Sequence, residues 1–242
     1  INYKIETLLA NTTEPELIEF IKRLNHTPEV TAYILQMPLP KGLDAKKVQT
    51  NIAPEKDVEG MHPSNMGMLV YGKPRVAPCT AMAVIEILNS LSIPLKGKEV
   101  VIVGHSEIVG KPITLLLLSS VLESATPTVC HIATKDLVFH TSRAEILIVA
   151  AGKAGLIKGN MIKENAIVID VGINRVPLLG ADGKPVVDEQ GKTKMKTVGD
   201  VVYEEAVEKA GMITPVPGGV GPVTTVMLLR NLVELWKWQL ES

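Results

Sequence analysis

The sequence predicts an α/β protein: two lobes, the second a Rossmann-like, doubly wound parallel sheet. Three observations carry that expectation. From Lys96 onward, short β-branched runs ("EVVIV", "TPTVCH", "AEILIVAAG", "AIVIDVGIN") recur without polar alternation, as strands buried on both faces do. Helical stretches and glycine turns separate them, the rhythm of a crossover-connected parallel sheet. Before Lys96 the texture differs, with strand-like and helix-like pieces in alternation, and the chain closes on a long apolar helix, "VTTVMLLRNLVELWKWQL". At 242 residues, 46% of them apolar and 21% charged, there is chain enough for real cores.

In the first lobe, "YKIETLL" alternates like a strand. "TEPELIEFIKRLN" reads as a helix, with Thr13 at the N-cap, Pro15 in the first turn and Glu16 three residues after the cap. Its Leu17, Ile18, Ile21 and Leu24 fall on one face. "VTAYILQMPLP" reads as a strand stopped by prolines, "DAKKVQTNI" as a short helix, "APEKDVEGMHPSN" as a loop, and Thr80 to Leu91 as a helix. In the second lobe, "VPLLGADGKPVVDEQGKTKMKTVGD" interrupts the α/β rhythm, and its Asp182-Gly183 predicts a hairpin-like surface excursion. The expected division is residues 1–92 with 216–242, the last helix returning to the first lobe, and residues 93–215 as a separate nucleotide lobe.

Charge excludes little but is informative. A net charge of −1 gives no electrostatic case for nucleic acid or an anionic membrane. The longest apolar run, around "ITLLLLSSVL", breaks after about ten residues, short of a membrane span. Cys79 and Cys130 lie far apart, without zinc or disulfide spacing, and a reducing compartment fits. His26, His62, His131 and His140 show no ligand spacing, so they read as structural or surface residues and no metal is expected. The chain opens on Ile1, without an initiator methionine or a signal-like segment, which predicts a further segment upstream.

The stretch "EVVIVGHSEIVGKP" is a strand running into a glycine turn and a helix. Gly104 ends the strand where a tight turn or a ligand needs the backbone bare. Ser106 is placed to cap the helix, whose N–H groups favour a phosphate, and Gly110 lets helix and sheet approach. A plain strand–helix turn explains the same residues equally well, because short glycine patterns recur by chance. The second strand ends "CHIAT", without the acid that usually holds the ribose hydroxyls of NAD. That leans toward NADP, although no arginine stands ready for the extra phosphate; His105 is a candidate when protonated and otherwise a neutral turn residue.

In the first lobe Gln36 ends the predicted strand before Pro38, where an amide suits a heteroaromatic ligand or a held water; a bond to nearby backbone is the simpler alternative. Asp57 and Glu59 share a loop with Lys56, and a carboxylate there suits a ring N–H pair, although a solvated charged loop has the same composition. "PVPGGVGP" is more specific: rigid and nearly free of side chains before a helix, it lets backbone approach a ligand or hinges the lobes.

Together, "LQMPLP", "APEKDVEGMHPSNMG", "PCTA", "VIVGHSEIVGKP", "VCH", "AIVIDVGIN", "VGDV" and "ITPVPGGVGP" resemble the bifunctional methylenetetrahydrofolate dehydrogenase/cyclohydrolase family over essentially the whole chain. The resemblance implies oxidation of 5,10-methylenetetrahydrofolate with NADP (or NAD), then hydrolysis of the methenyl product to 10-formyltetrahydrofolate, serving one-carbon metabolism and purine synthesis. It implies a cytoplasmic homodimer that works on tetrahydrofolate derivatives. Gln36 would be the catalytic candidate, orienting the reacting group and water. Glu59, with Asp57 beside it, would hold the pterin, and Pro217, Gly218, Gly219, Val220 and Gly221 would line the folate side. Gly104, His105, Ser106 and Ile173 would contact the dinucleotide.

The sequence departs from the family pattern in places. The family's catalytic lysine, with a tyrosine four residues before it, belongs to a helix ahead of the strand matching "YKIETLL" and is not among these residues. The expectation is a chain lacking its N-terminal segment, in which cofactor affinity survives better than cyclohydrolase activity. Glu59 stands for the common Asp, His105 for an arginine, Ile132 for a serine and Ala81 for a proline; the changes at 105 and 132 weaken the implied preference for NADP. Two other readings compete: a non-catalytic folate- or nucleotide-binding homologue, and a two-lobe dehydrogenase acting on a cyclic hydroxy acid.

Overall fold

The structure is a computed structural model, and it describes residues 1–180 and 182–241. The first helix, α1 (Glu14–Asn25), begins where the sequence places it. Glu16 reaches back to accept both the Thr13 backbone N–H, at 2.7 Å, and the Thr13 hydroxyl, at 2.8 Å. Asp44 caps α2 (Ala45–Gln49) by accepting from the N–H groups of Lys46 and Lys47. Leu17 and Ile21 of α1 pack with Val48 and Ile52 into a small core, with Ile18 partly buried beside them. Glu14 ties the two helices by accepting the Asp44 N–H and pairing with Lys47.

Three expectations for this lobe need correction. The stretch "YKIETLL" forms no strand, and Tyr3, Ile5 and Leu9 are exposed; alternation alone does not make a strand without a neighbour to bond to. The stretch around Gln36 is no buried strand either: it makes a single parallel bridge, Tyr33 to Asp57, and Gln36 is exposed. The loop after Asp57 contains a further helix, α3 (Pro63–Val70), started by His62, whose Nδ1 accepts the Ser64 N–H, and by Pro63 at the first position.

Helix α4 (Cys79–Ser90) leads into the sheet. The remaining elements follow as β1 (Glu99–Val103), α5 (Gly110–Leu117), β2 (Thr126–Cys130), α6 (Leu137–Thr141), β3 (Ile146–Val149), β4 (Ile167–Asp170), β5 (Asn174–Pro177), β6 (Met195–Val198), α7 (Tyr203–Ala206), β7 (Met212–Ile213) and α8 (Val220–Glu241). Five strands form one parallel sheet in the order β2-β1-β3-β4-β7. β5 and β6 make the antiparallel excursion that Asp182-Gly183 predicted.

The unbroken apolar runs have a direct explanation. Along β1, Val100 and Ile102 enter one core while Val101 and Val103 enter the other; in β3, Ile146 and Ile148 oppose Leu147 and Val149 in the same way. Both faces are covered, so both parities must be apolar. α4, α5 and the first half of α8 cover one face. α6, α7 and the turn around Met161 cover the other. The far half of α8 returns to the first lobe: Leu235 packs with Val58 and Val76, and the Gln239 amide donates to the carbonyls of Thr31 and Glu55 at 2.7 and 2.6 Å.

Among the described residues, no helix is long and apolar enough to cross a membrane. Nor do three or more His, Cys, Asp or Glu side chains gather there as a metal site would need.

Candidate active site

The order β2-β1-β3 places a topological switch point between β1 and β3, where chain connections leave in opposite directions; open α/β sheets bind ligands at that crevice. Gly104 stands there. Its φ is +121°, its N–H donates to the Cys130 carbonyl at 2.8 Å, and any Cβ would collide with the Ala150 carbonyl at the end of β3. Gly110 fits against the Gly104 carbonyl equally closely, so the turn is folded back on its own helix. Ser106 caps a different group from the one predicted: its Oγ accepts the Val109 N–H at 3.2 Å, in the turn before α5, and the helix starts only at Gly110. The reason is three intervening residues, Glu107 to Val109, that form a turn of their own.

His105 projects from this turn into solvent and meets His131, the residue after β2, ring on ring. His131 is thereby drawn from the surface residues into the site. Its Nδ1 accepts the Ala133 N–H at 3.2 Å, which leaves Nε2 as the outward donor of the neutral ring. Its signal in the sequence was positional: both histidines directly follow the glycine or cysteine that ends a neighbouring strand. Ile132 beside it and Ile173 past β4 are exposed, Ile173 by 70%. Lys46 of α2 pairs with Glu107 at 3.0 Å, bringing the first lobe to the glycine turn.

On the first lobe, Tyr33 and Asp57 form a parallel bridge, so Gln36 and Glu59 both lie beyond the same end of it. The Gln36 amide donates to the Met37 carbonyl at 3.1 Å. Of the two candidate carboxylates, Asp57 is turned inward. It is buried, and one of its oxygens accepts the His62 N–H at 2.6 Å and the Asn65 amide at 2.9 Å. Asp57 therefore shapes the loop, and Glu59 is the half-buried acid. Burial, with the Asp57 charge second, holds the Glu59 carboxyl above its ordinary value.

Two residues that the sequence did not single out hold this loop. The ammonium of buried Lys56 donates to the carbonyls of Leu24 and Thr27, at 3.1 and 2.7 Å, and closes the end of α1. The amide of Asn231, in α8, donates to the carbonyls of Val58 and Ala77, at 2.8 and 2.9 Å. α8 thus links two candidate regions. Its first turn follows the Pro217-Gly218-Gly219 loop, with Val220 buried and Gly221 exposed, and Asn231 anchors the loop that carries Glu59. Gly218 has φ +103° with open space beside it, and the Val216-Pro217 bond is cis.

The arrangement can take a dinucleotide over the bare Gly104 turn, and an N–H-rich ring at Glu59. Comparison with known proteins gives the family. Residues 1–59 match the family model described as tetrahydrofolate dehydrogenase/cyclohydrolase, catalytic domain, and residues 78–240 match its NAD(P)-binding domain. The bifunctional protein FolD of Bacillus velezensis is 45% identical over 97% of this chain and 76% of its own length. The crystal structure of the Campylobacter jejuni FolD methylenetetrahydrofolate dehydrogenase/cyclohydrolase superposes with a TM-score of 0.83 at 43% identity, covering 95% of this chain and 75% of that one. The Trypanosoma brucei enzyme, complexed with NADP cofactor and inhibitor, gives 0.84 at 37% identity, covering 96% and 75%. The chain belongs to the tetrahydrofolate dehydrogenase/cyclohydrolase family, and its function is NAD(P)-dependent oxidation of methylenetetrahydrofolate coupled to hydrolysis of the methenyl product.

Proposed function

We propose that residues 1–92 with 216–242 hold the folate and residues 93–215 the dinucleotide, so that both reactions proceed between them. The observation that carries this reading is the approach of Gly104 to the Ala150 carbonyl at the switch point, which leaves bare backbone where a pyrophosphate crosses a doubly wound sheet. The bound dinucleotide supplies the hydride acceptor, so the protein's task in the oxidation is position. Gly104, His105 and Ser106 hold its adenine side, and Ile173 offers an apolar surface farther along the sheet edge. Glu59 accepts a pair of N–H bonds from the pterin, and the loop of Pro217 to Gly221 admits the ring against backbone. The Gln36 amide, which both donates and accepts, orients the reacting one-carbon unit and then the water that opens the methenyl cation.

The same reading makes the protein a cytoplasmic homodimer acting on small folates, with no part for nucleic acid or membrane. NADP and NAD both remain within reach of the turn, because His105 replaces a permanent charge. The test is to supply NADP and NAD separately to the full-length protein with 5,10-methylenetetrahydrofolate, following methenyl formation and then its conversion to 10-formyltetrahydrofolate. Turnover of both steps is the expected result. Absence of turnover with either dinucleotide would overturn the reading.

A further inference from the structure

Two buried carboxylates lie behind the sheet edge, and nothing above uses them. Asp200 follows the β5–β6 excursion and is fully buried. Its Oδ2 accepts the backbone N–H groups of Ala151, at 2.6 Å, and Gly152, at 2.8 Å; its Oδ1 accepts the Asn174 amide at 2.8 Å. Asp170, at the end of β4, holds Asp200 in turn: it accepts the N–H groups of Gly172, Asp200 and Val201, all within 3.0 Å. The Asp170 N–H donates to the Thr214 hydroxyl, one residue before Pro215.

The backbone is tailored to this arrangement. A Cβ at Gly172 would collide with the Asp200 carboxylate, and a Cβ at Gly199 with that of Asp170. None of the ion pairs among the described residues includes either acid. Charge on them is met by N–H donors instead, and such charge-assisted bonds are strong and directional. What the donors have in common is their place. Ala151 and Gly152 are the exposed residues just past β3, and Asn174 directly follows exposed Ile173 past β4. Asp200 therefore grips together the two loops that follow β3 and β4, the first of them starting next to Ala150, whose carbonyl meets Gly104.

We propose that Asp200 is a positioning residue for the nicotinamide half of the dinucleotide, fixing the 151–152 and 173–174 loops in the relative placement that the cofactor needs. It acts through those loops and touches no reacting atom. The inference rests on the dinucleotide reading above, but goes beyond it by dividing the crevice into two separately supported halves.

The test compares two probes on the full-length protein by equilibrium titration: NADP, which spans the crevice, and adenosine 2′,5′-bisphosphate, which occupies only the Gly104 side. Asp200→Ala is expected to weaken NADP by about tenfold or more, as misplacement of a binding surface does. The fragment should stay within about twofold, as for an independent site. Asp200→Asn keeps an acceptor oxygen for Ala151 and Gly152 and should recover most of the loss. Asn174→Ala cuts one arm of the grip and leaves the buried acid in place, so it reports even if Asp200→Ala fails to fold; it should weaken NADP and spare the fragment. Parallel loss of both probes in Asn174→Ala and Asp200→Asn, or unchanged NADP binding, would overturn the proposal. Wild-type protein that bound neither probe would instead overturn the cofactor reading beneath it, and the proposal with it.

Discussion

His105 and His131 stack with their ring centroids 4.9 Å apart and their planes 12° from parallel, at the ends of the adjacent strands β1 and β2. The pair occupies the place beside the glycine turn where an acid would select NAD and a fixed cation would select NADP. An arginine at 105 would bring a permanent charge and a fork matched to phosphate. His105→Arg is therefore expected to raise the ratio of NADP to NAD affinity by about tenfold, roughly one charge-assisted hydrogen bond. Separate titrations with the two dinucleotides give the ratio, and an unchanged value would remove His105 from cofactor selection.

Gly104 tolerates no side chain, because its φ of +121° and the nearby Ala150 carbonyl both exclude a Cβ. Gly104→Ala should push β1 and β3 apart at the switch point and cost about 1–3 kcal/mol in backbone strain alone. Dinucleotide affinity should fall by more than about tenfold, since the turn is the part displaced. Thermal unfolding and cofactor titration read the two effects separately.

Glu59 makes the pH dependence of folate binding predictable in sign. Its carboxyl lies above the ordinary 4.5 through burial first and the Asp57 charge second. The native protein then holds this proton more tightly than the unfolded chain does, so the contribution of Glu59 to stability is lost as pH rises through the raised value. Folate binding runs the other way, because accepting two N–H bonds requires the anion. Affinity for tetrahydrofolate should weaken as pH falls through a window lying above 4.5, and Glu59→Gln should flatten that dependence. A wild-type profile flat across the window would contradict the role.

Asn231 and Lys56 hold the Glu59 loop through side-chain bonds to four backbone carbonyls. Asn231→Leu leaves the Ala77 carbonyl unpaired and the Val58 carbonyl only the weak Cys79 thiol donor at 3.6 Å, at an expected cost of about 2–4 kcal/mol. Lys56→Met keeps the packed stem but removes both ammonium bonds, leaving the Leu24 and Thr27 carbonyls only the backbone N–H groups of Thr27 and Val30, for about 1–3 kcal/mol. Denaturant unfolding measures both. Each should also raise the KM for folate more than the KM for NADP, because the loop they anchor lies in the first lobe.

Much of this was legible in the sequence because it depended on local chemistry. The Thr13–Glu16 box, the doubly apolar strands and the Asp182-Gly183 excursion each follow from a few neighbouring residues, and each formed where expected. The alternation in "YKIETLL" gives each residue's parity and not a partner strand, and no strand forms there. The helix Pro63–Val70 is hard to see in the sequence because its His62-Pro63 start has the composition of loop punctuation. In the proposed site, type and spacing make Gly104 and Glu59 candidates without separating them from a plain turn and a solvated loop. Asp57 shares the Glu59 loop and its charge, and only the His62 and Asn65 donors show that it faces inward. The Asp170–Asp200 grip and the Asn231 anchor join residues tens to more than a hundred positions apart, a relationship that no local pattern contains.

The most direct test of the two-lobe site is a crossed titration. Tetrahydrofolate and NADP are each titrated into the wild-type protein, Glu59→Gln and Gly104→Ala. The account predicts that Glu59→Gln loses folate affinity and keeps that for NADP, while Gly104→Ala does the reverse. Loss of both ligands in both variants, or of the opposite ligand in either, would contradict the assignment of folate to the Glu59 loop and of the dinucleotide to the Gly104 turn.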